Sequence, residues 1–201
     1  MPRYLIKWVA KFILWLEDVI IMSWDFDVLK TNLDDFEIAS FEEFCKMKGY
    51  TISIHPNTNL KEDSGFLPFK IAGDFLPECS GQDFLTGFEF YSNPVIAEQT
   101  PKRLFKGLFN KKPQPVVTAL NEDKHDLALI CSGSDLLEIF MAHWFGLYFA
   151  ETQGCNCYDP QDGIEYKEPK QIEKTINDII EELKARLSRG NLKLHIFEKW
   201  S

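Results

Sequence analysis

No glycine-rich phosphate loop occurs anywhere in this 201-residue chain: Gly-x-Gly-x-x-Gly and the lysine-bearing P-loop are both missing. That excludes the two commonest backbone cradles for nucleotide phosphates. The stretch "ICSGSD" lacks the Gly-x-Ser-x-Gly elbow that presents a nucleophilic serine in α/β-hydrolases. Histidine is scarce, at four residues, and none has a second ligand at metal spacing. Lys and Arg number 22 against 31 Asp and Glu, a formal charge of -9, and no basic stripe interleaved with aromatics is present. Such a surface repels phosphate backbones, so nucleic acid is not an expected partner. Cysteine is present five times, an odd count without the regular spacing of a disulfide framework. A chain this long does not need covalent staples, and the expectation is free thiols in a reducing cytoplasm.

What is present is enough to build a core. The chain is 45% hydrophobic with 17 phenylalanines, which excludes disorder of the bulk and fits one domain better than two. The acidic balance favours a basic protein partner. Residues 1–22, "MPRYLIKWVAKFILWLEDVIIM", are apolar but punctuated by Lys7, Lys11, Glu17 and Asp18. Their longest uncharged run, Phe12 to Leu16, is far short of the roughly 20 residues that span a bilayer. Three readings stay open for them: a helix docked on its own domain, a membrane-surface helix through residues 3–21, and a leader ahead of the domain at 23–201.

Along that domain the expected elements are a short helix in "SFEEFCKMKGY", capped by Ser40 and stopped by Gly49, and strands in "YTISIHP", "FLPFKIAG" and "FLTGFEFYS". The basic stretch "TPKRLFKGLFNKKPQP" reads as a solvated loop or short helix. "HDLALICS" is apolar enough for a central strand, with Ser132 placed to cap the helix that follows. That helix, "DLLEIFMAHWFGLYFAE", is apolar almost all round and is expected to be buried, ending at Gly154. "CNCY" and "IEYK" flank the "DPQDG" turn. An amphipathic helix then opens at Pro169, carries Ile172, Ile176, Ile179, Ile180, Leu183 and Leu187 as its stripe, and closes at Gly190. "LKLHIFEKW" alternates as a last strand. This order predicts an α+β fold, with a mixed, largely antiparallel sheet packed against the buried helix and the amphipathic C-terminal helix.

Two cysteine arrangements invite a chemical reading. Cys155 and Cys157 are one residue apart with no second knuckle to complete a zinc site, and the Cys-x-x-Cys redox spacing is absent. At i and i+2 of a strand they share a face, where small thiols pack readily. Cys131, just ahead of a helix, is the weak candidate for a nucleophile, activated by the helix dipole and paired with a histidine such as His143. No arginine sits where a cysteine-phosphatase loop needs one. No metal and no cofactor is expected.

The stretch "LEIFMAHWFGLYFAETQGCNCYDPQDG", within residues 127–166, resembles small bacterial cytosolic proteins of uncharacterised families, some of them similar to immunity proteins of toxin systems. The resemblance implies a non-enzymatic protein that binds and blocks a cognate toxin, with an acidic surface against a basic active site. The expected contacts are the aromatics and acids of "SWDFDVLKTNLDDFE" and of the "DPQDG" turn, namely Trp24, Asp25, Asp27, Asp34, Asp35, Asp159 and Asp162. The alternatives are a small cysteine-dependent hydrolase or transferase using Cys131, and a membrane-surface adaptor using residues 3–21.

Overall fold

The structure, a computed structural model, describes residues 23–62, 64–96 and 120–200. The N-terminal segment 1–22 and the basic stretch within residues 100–115 lie outside the described residues.

β1 (Ser23–Thr31) alternates in burial at Phe26 and Val28, because its apolar residues there recur at every second position, and an irregularity in register after Val28 turns Thr31 inward. It is followed by a 3-10 turn (Leu33–Asp35) and α1 (Ile38–Met47). β2 (Ile52–Ile54) and β3 (Gly65–Ala72) come next, then two 3-10 turns (Gly73–Phe75 and Pro77–Cys79). The long strands β4 (Asp83–Ile96) and β5 (Leu120–Ser132) lead into α2 (Leu136–Gln153). β6 (Asn156–Asp159), β7 (Ile164–Tyr166), α3 (Pro169–Ser188) and β8 (His195–Ile196) complete the order.

The eight strands form one sheet in the order β2-β3-β4-β5-β1-β6-β7, with β8 paired to β4 off this path. Every pairing is antiparallel. The chain is therefore an α+β protein. Register decides the faces: Trp24, Phe26 and Val28 stand opposite Cys131, Leu129 and Leu127, while Phe90 stands opposite Leu129, and Phe88 and Phe84 opposite Leu67 and Ile71. Directly opposed residues share a face, so these side chains make one continuous apolar surface. α2 lies on it, and α1 and α3 pack against α2 on that same side.

α2 buries twelve residues, from Leu137 to Ala150, because it is enclosed by sheet, α1 and α3. Its aromatic content matches that position, with Phe145 in ring contact with Phe36, Phe41, Phe69 and Phe88. Gly146 is where the helix comes closest to the sheet; a Cβ there would stand 2.4 Å from the Phe26 ring. Gly154 ends the helix at φ 68, the left-handed conformation that suits glycine. α3 opens with Pro169 after a capping box between Glu168 and Gln171, and buries Ile172, Ile176, Ile179, Ile180 and Leu183 as the stripe predicts.

Three expectations are corrected. Ser132 does not cap α2; it is the last residue of β5, and the Asp135 carboxylate accepts from the Leu137 and Glu138 amides instead. Ser40 lies inside α1, which begins at Ile38 after Glu37, since Phe36 and Ile38 pack against the core and draw the helix start toward them. Of "LKLHIFEKW" only His195 and Ile196 pair, opposite Leu85 and Phe84. The pairing of β4 with β5 begins at Glu89, and on the stretch of that edge before it only Phe84 and Leu85 are paired, by β8.

Candidate functional site

The other face of the sheet carries none of the described helices. Strand alternation sends Asp25 and Asp27 of β1 to it, opposite Ile130 and Ala128 of β5. Glu89 of β4 stands on the far side of Ile130, and Tyr91 beside Ala128. Phe66 of β3 lies opposite Glu89 and is 59% exposed; Tyr91 is 40% exposed. Asp126 adds a further carboxylate, with its Oδ1 accepting from the Lys30 amide at 2.8 Å. The result is a strip of acids set among exposed aromatics along the middle of the sheet.

The electrostatics follow from that crowding. Partial burial raises the Asp27 carboxyl above its ordinary value, and the neighbouring charges of Asp25 and Asp126 raise it further. Like charges facing one another, with no cation paired to them among the described residues, cost stability, a cost that a cationic partner relieves. The Tyr91 hydroxyl donates to Glu89 at 2.9 Å, which keeps that carboxylate on the face.

The structure distributes the sequence-predicted contacts unequally. Asp25 and Asp27 lie together on the open face. Asp34 and Asp35 sit beyond the far end of β1 in the 3-10 turn, where Asp34 pairs with Lys61 at 2.5 Å and Asp35 accepts from the Asn32 side chain at 2.9 Å. The Lys61 hydrogen bond and charge lower the Asp34 carboxyl from its usual range. Asp162 is exposed in the β6–β7 turn, next to the start of β1.

Two assignments are corrected. Asp159 is 3% exposed and cannot meet a partner; its Oδ1 accepts from the Gln161 and Asp162 amides at 2.9 and 3.1 Å and so shapes the turn from within. Trp24 shares the helix side with Phe26, stacked on His143 at 5.0 Å, so it faces away from Asp25 and Asp27. The "DPQDG" turn has an architectural task besides. Gln161 accepts from the Asp25 amide at 3.0 Å and donates to the Ser23 carbonyl at 3.4 Å, so its side chain extends the sheet past the end of β6 and pins the first residues of β1.

Glu89, Asp126, Tyr91 and Phe66 were missed from sequence. The alternation in "FEFYS" carried the signal for Glu89 and Tyr91, since their neighbours Phe88 and Phe90 are the apolar partners of a period-two pattern. Nothing local marks Phe66, whose place on the face depends on pairing with β4.

All five cysteines are free and buried. Cys157 lies under α2, its thiol 3.7 Å from the Gly146 carbonyl, and Cys155 is 3.9 Å from the Lys30 carbonyl. Burial pushes the Cys155 thiol up to about 11, and the nearby Lys124 charge offsets this only in part. Cys131 is shifted upward too, by burial first and then by Glu138, Asp135 and Asp25. These acids reverse the effect that a helix dipole would have on a thiolate. His143 is almost wholly buried against Trp24, Phe26 and Tyr166, and its Nδ1 bonds the Ile139 carbonyl at 2.9 Å, an arrangement that ties the ring to its own helix. Native protein treated with iodoacetamide at pH 7.5 is therefore expected to label slowly and without a single fast site. One thiol reacting at least tenfold faster than cysteine in unfolded protein would revive the Cys131 hydrolase reading.

Among the described residues no three His, Cys, Asp or Glu side chains gather as a metal site, and no helix is long and apolar enough to cross a membrane. Comparison with protein-family models, with curated proteins and with solved structures finds no match to this chain.

Proposed function

We propose that this chain is a non-enzymatic protein-binding module, an immunity protein of the cytoplasm that blocks a cognate bacterial toxin by covering a basic surface on it. The observation that carries this reading is the sheet face free of the described helices, where Asp25, Asp27, Glu89 and Asp126 stand among the exposed rings of Phe66 and Tyr91. Aromatics are enriched at protein interfaces and are commonly ringed by a polar rim. Uncompensated like charges add two advantages, steering a basic partner in and rejecting acidic ones.

Isothermal titration against the proteins encoded by the adjacent reading frames tests it, a basic one among them being the expected binder. The double substitution Asp25→Lys, Asp27→Lys is expected to weaken binding at least 100-fold, about 2.7 kcal/mol, with binding by the unaltered chain falling steeply as salt rises. Circular dichroism of the variant checks that the sheet is intact. Full binding by the folded variant, or no binding by the original chain, removes the proposal.

A further inference from the structure

Where β1 begins and β5 finishes, the gap beside β4 holds a hollow of about 420 Å³ that opens at the end of the sheet and is walled from both faces. Phe66, Glu89 and Ile130 wall it from the open face, Phe88, Cys131 and Glu138 from the helix side, and among the described residues no lysine or arginine lines it. A glycine shapes the surface beside it. Gly87 of β4 lies opposite Pro68 and presents no side chain, and a Cβ there would stand 2.4 Å from the Leu67 carbonyl oxygen and 2.5 Å from the Phe66 ring. The Phe66 ring therefore lies over the glycine backbone while remaining largely exposed.

Among the described residues the charged groups that line the hollow are two carboxylates, beside the serines Ser23 and Ser132. Glu89 comes from β4, held by the Tyr91 hydroxyl. Glu138 reaches over from the first turn of α2, its Oε2 accepting from the Ser132 amide at 2.6 Å. Asp25, paired across the sheet with Ile130, has one carboxylate oxygen, Oδ1, that is covered by protein and has no hydrogen-bond partner among the described residues.

An apolar wall with an exposed aromatic ring and two carboxylates at its edge is complementary to a cation on an aliphatic stem. The stem can lie along Phe66 and Ile130, as long cationic side chains commonly do on apolar surface. The charged head then meets Glu89 and Glu138 and the face of the Phe66 ring. A guanidinium suits this better than an ammonium: its planar fork can bond two carboxylates at once, it stacks on aromatic rings, and it gives up water more readily. We propose that this hollow is the anchoring pocket for an arginine side chain of the basic protein partner. The inference rests on the reading of the open face as the partner-binding surface, and it adds the chemistry of the group that is gripped.

The test is an amide NMR titration of the full chain with N-acetyl-arginine amide, compared with N-acetyl-lysine amide and with N-acetyl-citrulline amide, a neutral near-isostere. The arginine probe is expected to give saturable shifts centred on Gly87, Ile130, Ser132 and Glu138, with citrulline at least tenfold weaker and lysine weaker than arginine. Glu89→Gln is expected to weaken the arginine probe at least fivefold and to narrow its lead over citrulline, with the remaining spectrum unchanged. Absence of saturable shifts, shifts centred elsewhere, or equal responses to arginine and either comparison probe overturns the assignment. The same variants separate this inference from the reading beneath it. If Asp25→Lys, Asp27→Lys abolishes binding of the basic partner while Glu89→Gln and Phe66→Ala leave it intact, the face stands and the pocket falls. If none of them changes it, both fall.

Discussion

Gly146→Ala is expected to destabilise the fold by about 3 kcal/mol, at the upper end for overpacking a filled core. The added methyl would stand 2.4 Å from Cε1 of Phe26 and 3.2 Å from the Cys157 sulfur. Neither neighbour can yield easily. Phe26 is fully buried between α2 and the sheet, in ring contact with Trp24, His143 and Tyr166. Cys157 is fully buried on β6, which pairs with β1 through Val28. The gain in helix propensity from glycine to alanine, about 1 kcal/mol, is outweighed because helix and sheet must separate locally. Urea denaturation should show the midpoint fall with an unchanged slope, and the thermal midpoint fall by about 6 to 12 °C. Adding Phe26→Leu should recover part of the loss, since it removes the ring atoms nearest the new methyl. An alanine variant as stable as the original chain would mean that α2 does not approach β1 this closely.

Acidification from pH 7 to pH 5 is expected to remove about 2 kcal/mol of stability through His143 alone. Burial lowers this histidine from 6.5 to about 4, with the Ile139 carbonyl opposing only in part. The carbonyl can only accept, so Nδ1 carries the proton; Nε2 is then a buried lone pair without a partner among the described residues. A second proton would place a charge among Trp24, Phe26 and Tyr166. Because the folded value lies below the unfolded one, the unfolded chain binds more protons in this window. The contribution is therefore complete above about pH 6.5 and is lost as pH falls toward about 4. Partial burial raises the Asp27 and Glu138 carboxyls, which act in the opposite direction. Comparison with His143→Phe cancels those terms: the difference in unfolding free energy between pH 7 and pH 5 should be about 2 kcal/mol smaller in the destabilising direction for the variant. An identical pH dependence in both proteins would place the histidine in contact with water.

Much of the helix layer was legible because its signals are local. The stripe from Ile172 to Leu187 and the unbroken apolar run of α2 each specify their own surroundings, and Gly154 and Gly190 mark ends through left-handed conformations that need no distant partner. Strand order was not legible. β1, first among the described elements, sits between β5 and β6, and that depends on pairings between residues about 94 to 131 positions apart in the chain. Cap positions at Ser132 and Ser40 misled for a related reason: propensity nominated each serine, while sheet pairing and core packing moved the helix starts elsewhere. At the candidate site, period-two alternation already separated Trp24 from Asp25 and Asp27. Grouping them by proximity in sequence missed that. The burial of Asp159 had no such signal, because an acidic residue in a turn is more often exposed, and only the two amides it receives explain its inward direction. Phe66, Gly87 and Glu138 come together from three separate elements, so their hollow exists only once the fold is formed.

Carboxyl footprinting of the complex tests the central claim most directly. The chain and its basic partner would be treated with a water-soluble carbodiimide and glycine amide, alone and together, and the modification of each acid read by mass spectrometry. Asp25, Asp27 and Glu89 are expected to be protected at least fivefold in the complex, while the exposed acids Glu181 and Asp178 of α3, on the helix side, react as before. Protection centred on α3, with Asp25 and Asp27 unchanged, would contradict it.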